Sequence, residues 1–286
     1  MSTSVTTSFV KQYEREVHDV FQRTGSFLYQ TVRQKPNVKG STTTFQVIGT
    51  GVATTKARHG TITPMNQSHT AMECTLSDFY AGDWVDKLDE FKVGHDERES
   101  IARGGAWALG RKVDDQILTA ADTTTTTAVV STGAITRALL LQAVEALDDN
   151  DVPRDGNRFA LLTPRAWSQA MTITEFASSD FIGGTDLPYL KGAEPRTWLG
   201  VHWMQHTGLS GKGTTTAKNL VYHRQALGYG SQALAGIEGR MVGADITWHG
   251  DRAAHFVNHM MSGGACLIES GGVVEMHSND TAAIPT

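Results

Sequence analysis

The sequence predicts an α+β protein in which an arm, a long hairpin and one long helix stand apart from a compact core of short helices and strands. Three patterns lead there. Residues 95–121 keep an unbroken helical repeat. Residues 42–48 and 70–76 read as two strands around a polar, turn-rich middle. The rest of the chain alternates short helices with strands and closes on a β-rich run.

Taken in order, residues 8–24 predict an amphipathic helix, with Phe9, Tyr13, Val17, Val20 and Phe21 on one stripe. Ser8 is its N-cap and Gly25 its stop. A helix this short is marginal alone, so the stripe must dock on its own body or on a neighbour. Pro36 and the segment KGSTTT break the pattern. TTTFQVI (42–48) then reads as a strand, followed by the kink Gly49-Thr50-Gly51 and the polar KARHGTITPM. On the return, Thr70, Met72, Cys74 and Leu76 share one face. A lone hairpin is not stable in water, so this one needs a second surface.

Asp96, Glu97 and Glu99 enrich the first turn of the long helix, which suits its dipole. Ile101, Gly105, Leu109, Val113 and Ile117 form a ladder along one side. Gly104, Gly105 and Gly110 weaken it locally and point to close backbone packing or a bend. The run Thr123–Thr127 ends it as a loop. A helix over 135–149 follows, with Leu140, Val144 and Leu147 inward, then a strand at Phe159–Leu162. Thr163-Pro164 opens a helix through Met171, with proline at the first helical position. Further strands are expected at Trp198–Met204, Asn219–His223, 245–248, 253–262, 264–269 and 272–277, with glycine-bearing loops at 179–195 and 208–217.

A chain of 286 residues with 40% hydrophobic content can bury a real core. Its formal charge of −5 excludes a basic protein built to coat nucleic acid. Cys74 and Cys266 give no disulfide framework and no ligand spacing, and read as two reduced thiols. The N-terminal segment has no apolar stretch of the secretory kind, and no apolar run is long enough to span a membrane.

No catalytic, cofactor or metal site is expected. His202 and His206 stand at i, i+4 without an HExxH glutamate, and His255 and His259 share a strand face. Either pair would need a third ligand from elsewhere to hold zinc, so packing or interface roles are expected. The acidic pairs Asp114-Asp115 and Asp148-Asp149 read as solvated faces or helix-end charges. GLSGKGTTTAKN departs from a phosphate loop because Lys212 precedes Gly213 rather than Ser or Thr.

Four stretches, in order, resemble major capsid proteins of tailed double-stranded DNA phages with the Hong Kong 97-type fold. FQVIGTGVATTKARHGTITP (45–64) resembles the outgoing strand and tip of that family's extended loop. Residues 75–118, from TLSDFYAGDW to KVDDQIL, resemble the loop's return and the spine helix. LDDNDVPRDGNRFALLTPRAW (147–167) resembles the heart of the axial domain. AHFVNHMMSGGACLIESGGVVEMH (254–277) resembles the closing strands of the peripheral domain.

The resemblance covers most of the chain and implies an organisation. Residues 1–40 would be the N-terminal arm, 41–92 the extended loop, 93–122 the spine helix of the peripheral domain, 123–235 the axial domain and 236–286 the peripheral closing strands. It implies a shell-building protein that is no enzyme. Tyr13, Val17 and Phe21 of the arm and Lys56, Arg58 and His59 of the loop would touch other copies, while Ile101, Leu109, Val113 and Ile117 pack the spine helix. The implied partners are copies of the chain in pentamers and hexamers, a separate scaffolding protein, since no long scaffold-like segment precedes the arm, a portal, and in some relatives a decoration protein. DNA would be enclosed without sequence-specific binding, in a virion assembled in the host cytoplasm. Some relatives join a loop lysine to an asparagine of another subunit. Lys56 lies in the right region, but neither Asn258 nor Asn279 sits in matching sequence, so a non-covalent shell is expected. Two other readings stay open: an encapsulin-like compartment, which shares the fold, and a metal-dependent hydrolase.

Overall fold

The computed structural model describes residues 23, 25–92, 97–130, 133–177, 195–232 and 242–285. Their elements are β1 (Arg33–Lys35), β2 (Thr42–Ile48), β3 (His69–Thr75), β4 (Ser77–Asp86), α1 (Lys87–Lys92), α2 (Glu97–Ala121), β5 (Thr127–Val130), α3 (Arg137–Asp149), β6 (Arg158–Leu162), α4 (Pro164–Ala170), α5 (Thr174–Ala177), β7 (Arg196–Trp198), β8 (Val201–Gln205), β9 (Ala217–His223), β10 (Leu227–Ser231), β11 (Val242–His249), β12 (Ala254–Leu267) and β13 (Val273–Ser278). They form two compact units. The smaller holds described residues 23, 25–26, 78–92, 97–112 and 242–262, and the larger holds the others. The expected arm stripe of Tyr13, Val17 and Phe21 lies outside the described residues, as does most of the loop 179–195.

The larger unit is built on a six-stranded sheet in the order β5-β13-β9-β6-β8-β7. Its inner strands β6 and β9 are almost wholly buried, which their apolar runs RFALL and NLVY require. Helix α3 lays Leu140, Ala143, Val144 and Leu147 into this core, and its first turn is closed by Thr136, whose Oγ1 accepts from the Leu139 amide. Thr163 caps α4 in the same way, with Pro164 at the first helical position. Phe176 of α5 fills the centre, edge-on to Trp167, Trp198 and Trp203 at centroid distances of 5.5–5.9 Å.

In the smaller unit β11 pairs antiparallel with residues 254–261 of β12, and β4 also pairs with β12. The first half of α2 belongs here. A Cβ at Gly105 would lie 2.7 Å from Nδ1 of His259, and one at Gly110 would lie 2.6 Å from the Gly25 carbonyl carbon. These two glycines permit close approach, whereas Gly104 faces open space. Along the helix ladder Ile101 is half-buried and Leu109 buried, and in the larger unit Val113 and Ile117 are fully buried.

Several sequence expectations are corrected. The strand expected at Trp198–Met204 is a hairpin, because Leu199 and Gly200 both take positive φ (54° and 74°) in a turn between β7 and β8. The two strands expected at 253–262 and 264–269 are one element, β12, that includes Gly263-Gly264. Strand β13, grouped by sequence with the closing strands of 236–286, instead pairs β9 and β5 in the six-stranded sheet. Asp114 is no solvated charge: it is fully buried and accepts from the amides of Phe27 and Leu28, with His206 Nε2 at 3.3 Å. Asp148 is also engaged, pairing with Arg154 and with the fully buried Arg158.

Candidate assembly site: the extended hairpin and its root

Strands β2 and β3 pair in register from Thr42↔Thr75 to Ile48↔His69. Beyond them the chain continues outward and back. Gly49 donates to the Ser68 carbonyl at 2.8 Å, and Thr54 Oγ1 donates to the Thr63 carbonyl. The far end is a tight turn. The Gly60 amide donates to the Ala57 carbonyl at 2.9 Å, His59 takes φ of 68°, and Lys56 Nζ folds back onto the Gly60 carbonyl at 3.3 Å. Lys56, Arg58 and His59 are therefore gathered on one turn. Every residue from 51 to 70 is exposed. Val52 and Ile62 are 76% and 75% exposed on this excursion, which has no core of its own. No Asp or Glu occurs between Thr42 and Met72, so the tip carries cations without local counter-charge.

The root of the hairpin is the opposite in character. Phe45 and Cys74 are buried and pack with Ile268, beside Met72 and Cys266. They rest on a face made of glycine. Strand β10 pairs parallel with β1 and antiparallel with residues 263–267 of β12. A Cβ at Gly228 would lie 2.7 Å from the Phe45 ring, one at Gly230 2.8 Å from Thr43 Cγ2, and one at Gly264 2.0 Å from the Thr75 carbonyl oxygen. Leu76 donates to the Ser41 carbonyl and Cys74 Sγ to the Gly264 carbonyl at 3.2 Å, fixing both strands at their base. The guanidinium of Arg33 and the ammonium of Lys35 lie over the Phe45 ring at 5.5 and 5.9 Å. The root residues Phe45, Gly228, Gly230 and Gly264 escape sequence reading. The available signal is the alternate glycine in LGYGS, which marks a strand that another backbone approaches closely.

Among the described residues no three His, Cys, Asp or Glu converge on a metal position. His202 is engaged by Thr197 Oγ1 and the Gly156 carbonyl, and the loop resembling a phosphate cradle directs its Gly213 amide to Asp280. No described helix is long and apolar enough to cross a membrane.

Comparison with known proteins agrees with this architecture. A sequence model for the family described as phage capsid protein matches residues 5–279. No curated protein matches the chain. Among solved structures, the capsid of the cyanophage P-SCSP1u superposes with a TM-score of 0.74 at 18% identity, covering 97% of this chain and 95% of that one. A native GTA particle capsid gives 0.70 at 11% identity over 99% and 100%, and a structure from Mycobacterium phage Che8 gives 0.69 at 16% over 96% and 98%. With the arm-like hairpin, long helix and mixed sheets in place, the chain belongs to the phage capsid protein family, with the Hong Kong 97-type fold of a major capsid protein: a structural component of the virion shell and not an enzyme.

Proposed function

We propose that copies of this protein hold one another in an icosahedral shell chiefly through the extended hairpin, with Lys56, Arg58 and His59 as its gripping end. The observation that carries this is the contrast within one element: a root buried on glycine and an outer part exposed throughout residues 51–70. An element so firmly seated, reaching so far without a core, finds its burial on another molecule. The cations, without an ion-pair partner among the described residues, suit an acidic patch of an adjacent copy. The arm stripe of Tyr13, Val17 and Phe21 would dock in a similar way. Closed symmetric assembly follows when such patches are complementary to the chain itself.

In this reading the six-stranded sheet with α3, α4 and α5 is the axial domain, and α2 with β4, β11 and the first half of β12 is the peripheral domain. Ile101, Leu109, Val113 and Ile117 set how the spine helix packs. The shell encloses double-stranded DNA without sequence-specific contacts, a role that the charge of −5 supports. It forms in the host cytoplasm around a separate scaffolding protein and a portal, and leaves room for a decoration protein. The test is the double variant Lys56→Glu/Arg58→Glu. It should remain soluble and folded yet fail to give uniform polyhedral shells by negative-stain microscopy. Normal shells from that variant would remove the tip from the mechanism.

A further inference from the structure

The hairpin root holds two cysteines that lie 192 positions apart in sequence and come together in space. Cys74 of β3 is 1% exposed, and Cys266 of β12 is partly exposed and packs against the same small cluster with Phe45 and Ile268. Their strands touch. The Thr75 carbonyl lies against Gly264 so closely that no Cβ fits there, and the Cys74 thiol reaches the Gly264 carbonyl. Cys266 is two residues further along β12, on the same face as Gly264.

We infer that Cys74 and Cys266 form an oxidative modification site: a thiol pair that a low-molecular-weight disulfide converts into an intramolecular staple across the hairpin root. The inference rests on the root geometry alone and stands or falls apart from the assembly role of the tip.

Reach and acidity divide the exchange between the two thiols. A hydrogen bond from the Cys266 thiol outweighs burial and brings the Cys74 thiol down to about 7, which makes Cys74 the more acidic thiol of the two. The Cys266 thiol is pushed up by the same neighbour and by burial. With oxidised glutathione as the oxidant, Cys266 exchanges first although its thiol is the weaker acid, because Cys74 is buried and only Cys266 is within reach. Its sulfur bonds to one glutathione, and the other leaves as a thiol. Cys74, on losing its proton, then attacks the Cys266 sulfur, forms the protein S–S bond and expels the second glutathione. Two protein S–H bonds are lost, one disulfide is formed and one consumed, and both protons end on glutathione. In a reducing compartment the pair stays open, and at a virion surface exposed to oxidant it closes.

The test uses the full-length protein, treated with oxidised glutathione or with a phosphine reductant, then denatured and alkylated. Oxidised protein should lose both alkylatable thiols and yield a peptide linking Cys74 to Cys266 within one chain. Amide exchange at residues 42–48 and 69–75 should slow by about tenfold or more on oxidation, since opening the root now requires breaking a covalent bond. Cys266→Ser, changed at the more exposed position, should fold normally and show neither the linked peptide nor the slowing. Separate glutathione adducts on the two cysteines, a link between different chains, or a closed disulfide with unchanged exchange at the root would each overturn the inference.

Discussion

Phe45 is the side chain that seats the hairpin, and Phe45→Ala measures how firmly. The ring is 2% exposed and lies against Gly228 and Ile268, with two cations over it. Truncating a buried phenylalanine costs about 3–5 kcal/mol, the spread reflecting how far the site can collapse. Collapse is restricted here. The floor of the cavity is the backbone of Gly228, which has no side chain to relax inward, and β10 is held between β1 and β12. The upper half of the range is therefore expected. If the root opens separately from the core, amides in β2 and β3 should exchange roughly 10³ times faster or somewhat more, since each ~1.4 kcal/mol is tenfold. Amides of β9, in the six-stranded sheet, should change far less. Unassembled subunits serve for the assay, with urea titration for the global value and peptide-resolved exchange for the local one. A loss below about 1 kcal/mol, or equal acceleration in β2 and β9, would refute a glycine-floored root as the seat of the hairpin.

Glycine exchanges give a matched pair of outcomes. Gly264→Ala drives a methyl into the Thr75 carbonyl and should cost about 1–3 kcal/mol, whereas Gly104→Ala, in open space on α2, should stabilise by about 0.5–1 kcal/mol; urea midpoints of the two variants check the signs. Asp148 is held down to about 2 by a hydrogen bond from Arg154 and then by Arg158. Its folded value lies below its unfolded one, so its contribution is present above about pH 4 and is lost as pH falls towards 2. Asp148→Asn, which leaves buried Arg158 without its counter-ion, should cost about 3 kcal/mol, the low end for a broken buried pair because Asp148 is itself 28% exposed. It should also flatten the acid limb of the stability curve between pH 4 and 2, and an unchanged limb would remove Asp148 from it. Particles boiled in detergent with reductant should run as a single band near 31.0 kDa, and a ladder of multimers would reveal a covalent mesh.

What the sequence makes legible is what neighbouring residues decide. The strand at Thr42–Ile48, the helix ending at Ala121 and the Thr163-Pro164 helix start lie where periodicity and capping place them. The misreadings share a cause. Gly263-Gly264 look like a break because glycine locally signals a turn, yet here they make room for the Tyr229 hydroxyl and the Thr75 carbonyl, some 30 and 190 positions away. Asp114 looks like a surface charge because its partners, Phe27, Leu28 and His206, are distant in sequence. The tip of the candidate site is legible through its cations beside a glycine turn. Its root is not, since a glycine floor takes its meaning only from the ring that lands on it.

Before any neighbour is met, each subunit carries a two-stranded ribbon whose outer edges are unpaired among the described residues. Such edges invite random strand pairing between copies. The absence of carboxylates from Thr42 to Met72 acts against it. In the proposed assembly two free ribbons bear the same sign at their tips, on Lys56 and Arg58, and repel each other there, while an acidic patch on a correctly placed copy would attract either one. That discrimination works within a screening length of about 8 Å at physiological salt and shrinks as salt rises. Ionic strength thereby becomes a control on fidelity: too little holds subunits apart, and too much lets ribbons find one another before they find their place.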